Sequence, residues 1–197
     1  MTIVHKVRAV ERLFKTLEKD VQKLKEQTGI SCANNCIKCC TTSNIEATPV
    51  EFYPLAYHLV KNDLSNDILS RIDQVNNSAI CPLLDTFSIN GSRIGCMFYE
   101  QRGLICRIFG YTYRVNKYDQ RVLATCKTIQ TEHQNGVVIA NEILRLKPLG
   151  PKATDYYQRL QFVDYNKAQK MYPIGEAIKI AIETIATHFH YKKGKAM

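Results

Sequence analysis

Four of the eight cysteines of this chain lie within ten residues, in the stretch SCANNCIKCC at residues 31–40. The other four follow before residue 127, so none falls in the terminal regions, where a small buried cysteine would pack equally well. Thiols at this density are typical ligands of soft metal ions rather than ordinary core residues. The candidate metal ligands are Cys32, Cys36, Cys39, Cys40, Cys81, Cys96, Cys106 and Cys126.

Two local structures fit the spacing of the first four cysteines. If residues 32–40 are helical, a rotation of about 100° per residue brings all four thiols to one face. The adjacent thiols of Cys39 and Cys40 then suit two neighbouring metals, or one metal and a reserve thiol. Alternatively, Cys36 and Cys39 form a loop chelate of the zinc-knuckle kind. Either structure needs distant ligands, because one short segment rarely completes a tetrahedral shell.

Two other readings of the cysteines stay open. The eight thiols could be buried as small apolar side chains. Cys36 and Cys39 could also form a catalytic dithiol, although no thioredoxin-like βαβ pattern surrounds them. We expect metal binding, because the concentration of all eight cysteines in one part of the chain indicates a site.

Composition limits where such a chain can work. Of its 197 residues, 45% are apolar and 23% are charged, which is typical of a globular, soluble protein. No run approaches the roughly 18 apolar residues of a membrane span, and the charged N-terminus lacks the apolar core of a secretory signal. We therefore expect a cytoplasmic protein with no membrane contact. Because the cytoplasm is reducing, dense cysteines there indicate metal or redox chemistry rather than disulfides.

The net charge of +9 lies in the flanks of the chain. Residues 1–28 carry +3 and residues 145–197 carry +6, whereas the cysteine-bearing middle is neutral. Because thiols ionise when they bind a metal, the basic flanks could balance a negative site or meet an acidic partner. No combination of aromatic and basic residues typical of nucleic-acid binding accompanies the lysines. The expected partners are a metal ion and a protein, and nucleic acid is not expected.

The pattern of apolar and capping residues predicts a mostly α fold with a small irregular β-hairpin region. Apolar residues at helical spacing predict a helix over residues 3–27. Thr48, Pro49 and Glu51 form a capping box that begins a helix ending at about Lys61. Further predicted elements are a helix from Ser65 to about Val75, a hairpin turn at Asn90 and Gly91, a strand over 108–115, helices over 139–146 and 152–171, and a last helix starting at Pro173.

We predict a single domain over residues 1–197. Its parts are an N-terminal helix over 1–28, a cysteine-cluster core over 29–128 and C-terminal helices over 129–197. The chain shows no internal repeat and no long linker that would separate these parts.

Three motifs, in this order, resemble the YkgJ-like zinc- or iron-chelating family of CxxCxxCC proteins. They are CANNCIKCC, CPLLD at 81–85 and CMFYEQRGLICR at 96–107. The family pairs its first cluster with C-P-x-L and C-x-x-Y-x-x-R-P-x-x-C-R elements. The third motif matches at Cys96, Tyr99, Arg102, Cys106 and Arg107. The chain departs from the family at Gly103, where proline is usual and where glycine would loosen the loop, and in the Cys32-x3-Cys36 spacing, which is one residue longer than the shortest.

The resemblance implies that the cysteines bind zinc or iron, with an iron–sulfur cluster as the alternative form of the iron. It also implies that Arg107, Arg102 and Tyr99 lie beside the thiolates. We expect a metal-handling or metal-stabilised interaction protein with about two metals per chain. Some relatives resemble flagellin lysine N-methylases, so a redox or methyl-transfer enzyme that uses the metal centre is the alternative. No nucleophile–base motif identifies a catalytic residue or a substrate.

Overall fold

The computed structural model describes residues 1–32, 36–75, 80–85 and 95–193. For residues 191–193 it describes the backbone alone. These residues form a mostly α-helical fold with short antiparallel strand pairs, which confirms the predicted fold class. The α-helices are α1 (Ile3–Thr28), α2 (Tyr53–Lys61), α3 (Ser65–Val75), α4 (Leu104–Ile108), α5 (Lys127–Glu132), α6 (Gln134–Leu146), α7 (Ala153–Val163), α8 (Tyr165–Ala168) and α9 (Ile174–Lys193). The strands are β1 (Glu46–Ala47), β2 (Leu84–Asp85), β3 (Gly95–Cys96), β4 (Thr112–Val115), β5 (Arg121–Ala124) and β6 (Tyr172–Pro173).

The chain divides into two compact units. The first contains Met1–Glu11, Ile37–Leu104 and Leu160–Met197, and the second contains Arg12–Cys36 and Ile105–Arg159. Helix α1 therefore contributes its first turns to one unit and the remainder to the other. The prediction of a single domain over 1–197 stays a prediction.

The core of the first unit forms where α9 packs against α2, α3 and strand β1. Strand β1 pairs with β6, just before α9, so that Ala47 lies opposite Tyr172. Buried apolar side chains on α2 and α9 fill the interior, among them Leu55, Leu59 and Ile178. This arrangement buries the apolar stripe that the sequence places on α9.

The predicted capping box at Thr48 is confirmed. The backbone N–H of Thr48 donates to Glu51 Oε1 at 2.7 Å, and the Thr48 hydroxyl donates to the same oxygen at 3.1 Å. Pro49–Phe52 form a 3₁₀ turn that leads directly into α2, which ends at Lys61 as predicted. Glu51 is fully buried, so the capping bonds satisfy a carboxylate that burial alone would destabilise.

In the second unit, strand β5 is fastened to helix α6 through side chains. Asn141 Oδ1 accepts the backbone N–H of Leu123 at 2.9 Å, and Arg121 Nε donates to the carbonyl of Leu144 at 2.8 Å. Gly136 lets α6 approach the end of α1, because a Cβ there would lie 2.5 Å from the carbonyl oxygen of Thr28. These contacts fix the hairpin β4–β5 and the helices α1 and α6 to one another.

Several predicted boundaries are corrected. The strand expected over 108–115 starts only at Thr112, because α4 runs to Ile108 and Gly110 turns the chain with a φ of +87°. The helix expected over 152–171 is broken at Asp164, whose φ of −152° and ψ of 93° are extended. Helix α6 begins at Gln134 rather than 139, and α9 begins one residue after Pro173. The hairpin turn at Asn90 and Gly91 lies outside the described residues.

Among the described helices, none combines the length and the apolar character that crossing a membrane requires.

A half-buried polar network in the first unit joins α1, α2 and the start of α8. Asp164 Oδ2 accepts from Lys6 Nζ at 2.5 Å and from the Tyr53 hydroxyl at 2.8 Å. Burial raises the pKa of Asp164, but the hydrogen bonds from Lys6 and Tyr53 outweigh it and hold the pKa below the usual value. Burial and the bond to Asp164 raise the pKa of Tyr53, so Tyr53 stays the donor.

Replacing Asp164 by asparagine should therefore destabilise the protein at neutral pH, by about 1–3 kcal/mol, because a neutral amide oxygen accepts more weakly from Lys6 and Tyr53 than a carboxylate does and the ion pair with Lys6 is lost. Since the pKa of Asp164 is lowered on folding, its contribution is present above the usual aspartate pKa of about 4 and fades as the pH falls through the lowered value. Denaturant unfolding at several pH values should show the gap between wild type and Asp164→Asn narrowing in acid.

The control is Asp73→Asn, which removes an exposed ion pair between Asp73 and Lys179 in the same unit. It should change the free energy of unfolding by about 0–1 kcal/mol. Equal effects of the two substitutions at neutral pH would contradict a stabilising role for the Asp164 network.

Candidate metal centre

The described residues of the first cysteine cluster do not form an α-helix. Ser31, Cys32, Cys36 and Ile37 are not helical, and Lys38–Cys40 form a single 3₁₀ turn. Of the two local structures considered, the helix over 32–40 is therefore wrong, and with it the arrangement of four thiols on one helical face.

The residues that follow explain why the turn does not continue as a helix. The hydroxyl of Thr42 donates to the carbonyl of Lys38 at 2.6 Å, and that of Thr41 donates to the carbonyl of Ile37 at 3.3 Å. Bonds of this kind also occur within α9, where the Thr184 and Thr187 hydroxyls donate to carbonyls four residues back, so they do not by themselves stop a helix. Asn44 then adopts a φ of +62°, which ends any helical continuation.

Four of the eight cysteines lie in the first unit and interact there: Cys39, Cys40, Cys81 and Cys96. The sulfur atoms of Cys39 and Cys40 are 4.0 Å apart. The backbone N–H of Cys81 donates to the carbonyl of Cys40 at 2.8 Å, which fixes the second motif against the first. Strand pairing places Cys96 opposite Leu84 in β2, three residues after Cys81. All three sequence motifs thus supply a thiol to one unit.

The thiols of this set change one another's pKa values. A hydrogen bond from the Cys40 thiol, aided by backbone groups and the charge of Arg102, lowers the pKa of Cys39 to about 6 against the effect of burial. The pKa of Cys40 is raised by that same hydrogen bond, by burial, and by the charges of Cys39, Cys81 and Cys96. Burial is the main cause that raises the pKa of Cys81 to about 12, and it also raises the pKa of Cys96.

At neutral pH these shifts favour a single thiolate in the set. Like charges at close range prevent further ionisation unless a cation is present. A metal ion provides such a cation, since a coordinating thiol is deprotonated outright. The chemistry of this donor set fits a soft divalent metal.

Arg102 is the cation that acts on this set. Its guanidinium carbon lies 3.8 Å from the centre of the Tyr99 ring, and its charge lowers the pKa of both Cys39 and Cys96. Tyr99 is half exposed and forms the platform on which the guanidinium stacks. Of the residues expected beside the thiolates, these two lie in the same unit as the four thiols.

Arg107 has different neighbours. It is buried in the second unit, where Nη1 donates to Glu18 Oε1 and the guanidinium lies 4.6 Å from the centre of the Phe14 ring. Its expected role beside a thiolate stays a prediction. Glu18, its ion-pair partner, gave no sequence signal, because it is one of several acidic residues on the outer face of α1.

The other four cysteines belong to the second unit: Cys32, Cys36, Cys106 and Cys126. Cys32 is exposed and the other three are half-buried. Cys126 caps α5, where its sulfur accepts the backbone N–H of Ile129 at 3.4 Å. Gly110 packs close to this cap, because a Cβ there would lie 2.9 Å from Ile129 Cδ1.

All eight cysteines lie in the described part of the chain, and none is joined in a disulfide. Across residues 1–32, 36–75, 80–85 and 95–193, no three Cys, His, Asp or Glu side chains are arranged to hold a metal directly. The ligand roles of the eight thiols stay a prediction.

Residues 31–135, just over half of the chain, match the CxxCxxCC family, which is described as a putative zinc- or iron-chelating domain. The chain belongs to the CxxCxxCC family. The match includes all eight cysteines. No curated protein and no solved structure matches the chain.

Within this CxxCxxCC domain, Gly103 does not loosen its loop as expected. A Cβ on Gly103 would lie 2.7 Å from two ring atoms of Phe52 and 3.0 Å from Glu51 Oε2. Gly103 is buried beneath the Phe52 ring, so glycine here permits close packing. A proline, which carries a Cβ, would have to displace that ring.

Sequence reasoning missed Arg71 as a residue of the site. Arg71 donates to two backbone carbonyls of the segment that begins at Cys81. The available signal was its position three residues after the buried Ile68, on the inner side of α3. An arginine on the inner side of an amphipathic helix needs a partner for its charged group.

In metal-free protein, Cys39 should be alkylated with a midpoint near pH 6, because the thiolate is the reactive form and its pKa is about 6. Cys40 and Cys81, with raised pKa values, should stay unreactive at that pH. Mass spectrometry of protein alkylated over a pH series measures each cysteine separately.

Replacing Arg102 by methionine should move the Cys39 midpoint to higher pH, since a cation that favours the thiolate is lost. The matched control is Arg114→Met, which removes an exposed arginine of β4 in the other unit. A Cys39 midpoint near the ordinary cysteine value of about 8.5, or one unchanged by Arg102→Met, would contradict this description of the set.

Proposed function

We propose that the chain binds zinc or iron through the four cysteines of its first unit, Cys39, Cys40, Cys81 and Cys96. The observation that carries the proposal is geometric: the sulfur atoms of Cys39 and Cys40 are 4.0 Å apart, the backbone N–H of Cys81 donates to the carbonyl of Cys40, and strand pairing places Cys96 opposite Leu84. Membership of a zinc- or iron-chelating family supports it independently. We further infer a YkgJ-like member of that family from the three ordered motifs.

In this proposal the four sulfurs reach their coordinating arrangement only when the metal binds. Because the described side chains hold no arrangement of three ligands, binding draws the four sulfurs onto the ion and releases their remaining protons. Binding free energy then becomes folding free energy for the segments that carry the thiols. The buried capping box lies against the third motif, because a Cβ on Gly103 would lie 3.0 Å from Glu51 Oε2. This close packing restricts the motion of the segment that follows Cys96.

Four sulfurs leave no open position on a tetrahedral ion, and closed sites of this kind are structural. We therefore favour a metal-handling or metal-stabilised interaction protein, working with a protein partner in the cytoplasm, over an enzyme. Sulfur ligands suit zinc and iron alike, and an iron–sulfur cluster would use the same residues.

We propose a second metal at the cysteines of the second unit, Cys32, Cys36, Cys106 and Cys126. The equal division of eight thiols between two units supports one four-sulfur set in each. The expected content is then about two metals per chain.

A redox role is the second candidate. It rests on Cys39, whose low pKa beside a protonated neighbour 4.0 Å away is typical of reactive thiols. Under this alternative the pair would be metal-free in the working protein, whereas our proposal requires it to be bound.

Metal content decides between these proposals. Protein purified without chelator and without oxygen should contain about two equivalents of zinc or iron by elemental analysis, and a brown colour would indicate an iron–sulfur centre. Cys40→Ser and Cys81→Ser should each lose about one equivalent, and Cys126→Ser should lose the other. Double replacement of Cys40 and Cys126 should lose both.

Two results would count against the proposal. Wild-type protein that is stably folded, colourless and metal-free would exclude metal chelation by these thiols. Loss of both equivalents in Cys126→Ser with none lost in Cys40→Ser would exclude the first-unit set as a ligand set.

A further inference from the structure

Arg71 joins helix α3 to the turn that carries Cys81. Its Nε donates to the carbonyl of Pro82 at 3.2 Å, and its Nη2 donates to the carbonyl of Leu84 at 2.9 Å. The planar guanidinium presents these donors in a rigid fork. One side chain therefore holds two alternate carbonyls of the same short segment.

Other hydrogen bonds of this turn lead to the first motif, through the N–H of Cys81 and the carbonyl of Cys40, or stay within the turn, or lead to β3. The carbonyl of Cys81 accepts the N–H of Leu84 at 3.0 Å, and the carbonyl of Leu83 accepts the N–H of Met97 at 2.9 Å. Without Arg71 the carbonyls of Pro82 and Leu84 would lose these donors. Both residues are buried, and a buried carbonyl without a donor destabilises the turn.

Helix α3, which carries Arg71, is held in place by packing. Its buried side chains Ile68 and Ile72 face the core, and it packs against α9. A Cβ at Gly175, in the first turn of α9, would lie 3.6 Å from Ile72 and 3.8 Å from Pro82. The start of α9 therefore lies close to both α3 and the turn that Arg71 holds.

We propose that Arg71 is a positioning residue that holds Cys81, and through the β2–β3 pair also Cys96, in place for the metal. The inference rests on the proposed function of the first-unit cysteines. Arg71 acts through its hydrogen bonds to the backbone; the cation that acts on the thiol pKa values is Arg102.

Three variants separate this role from a loss of charge. Arg71→Met removes both donors and keeps a long apolar stem. Arg71→Lys keeps the charge but has no rigid fork. The matched control is Arg121→Met, because Arg121 is also half-buried and donates to a backbone carbonyl, that of Leu144, in the second unit.

In metal-loaded protein, Arg71→Met should release its first-unit metal to a chelator about 10- to 100-fold faster, as expected for loss of a residue that orients ligands. Arg71→Lys should lie between Arg71→Met and wild type, and Arg121→Met should match wild type. With cobalt as the probe, the thiolate-to-metal absorption of Arg71→Met should weaken. Wild-type rates and spectra in Arg71→Met would overturn the inference.

A second measurement does not depend on the metal. In metal-free protein, alkylation of Cys81 and Cys96 should be about tenfold faster in Arg71→Met than in wild type, while Cys126 should be unchanged and serve as the internal reference. Equal protection of Cys81 in both proteins overturns the inference, whatever the metal content. Failure of wild type to bind metal overturns the proposed function alone.

If Arg71→Met unfolds, Cys126 also becomes reactive. The same measurements are then made on Arg71→Lys instead. If the alkylation rate of Cys81 in Arg71→Lys rises over its wild-type rate by more than that of Cys126 does, the positioning role is supported. Wild-type protection of Cys81 in Arg71→Lys, together with wild-type metal release, overturns it.

Discussion

The difficulty of ionising several half-buried thiols side by side is the constraint on the first-unit cysteines. The hydrogen bond with Cys39, burial and the charge of Cys39 raise the pKa of Cys40, and burial raises the pKa of Cys81 and Cys96. Arg102 favours the thiolate form, yet the pKa of Cys96 stays raised despite that charge. One arginine is therefore too little to ionise the set. A divalent ion in contact with the sulfurs would be enough, which makes metal and thiols mutually dependent under our proposal.

The segments that carry these thiols are too short to hold their own shape. Cys40 ends a single 3₁₀ turn, Cys96 lies in a two-residue strand, and Cys81 begins a turn. Their geometry must come from longer elements nearby, because short strand pairs are marginal by themselves. Arg71 provides such a link from α3, and the packing of Phe52 over Gly103 fixes the loop within the third motif.

Local sequence signals predicted much of the fold. The capping box at Thr48 and the helix from Ser65 to Val75 depend on neighbouring residues, and both are confirmed. The helical alternative for residues 32–40 was wrong because thiol spacing alone does not set the backbone conformation: Cys36 and Ile37 are not helical, and Asn44 has a φ of +62° soon after the 3₁₀ turn. The division of the cysteines between two units depends on contacts between residues that are distant in sequence. The hydrogen bonds from Arg71 to the turn after Cys81 are also contacts of this kind. No local pattern encodes such contacts.

X-ray absorption spectroscopy of zinc-loaded protein tests the central claim most directly, because it counts the atoms bound to the metal. Our account predicts a shell of four sulfur atoms at about 2.3 Å. In Cys40→Ser, the metal that remains should keep its sulfur shell. A wild-type shell made mainly of nitrogen and oxygen at about 2.0–2.2 Å would contradict the account.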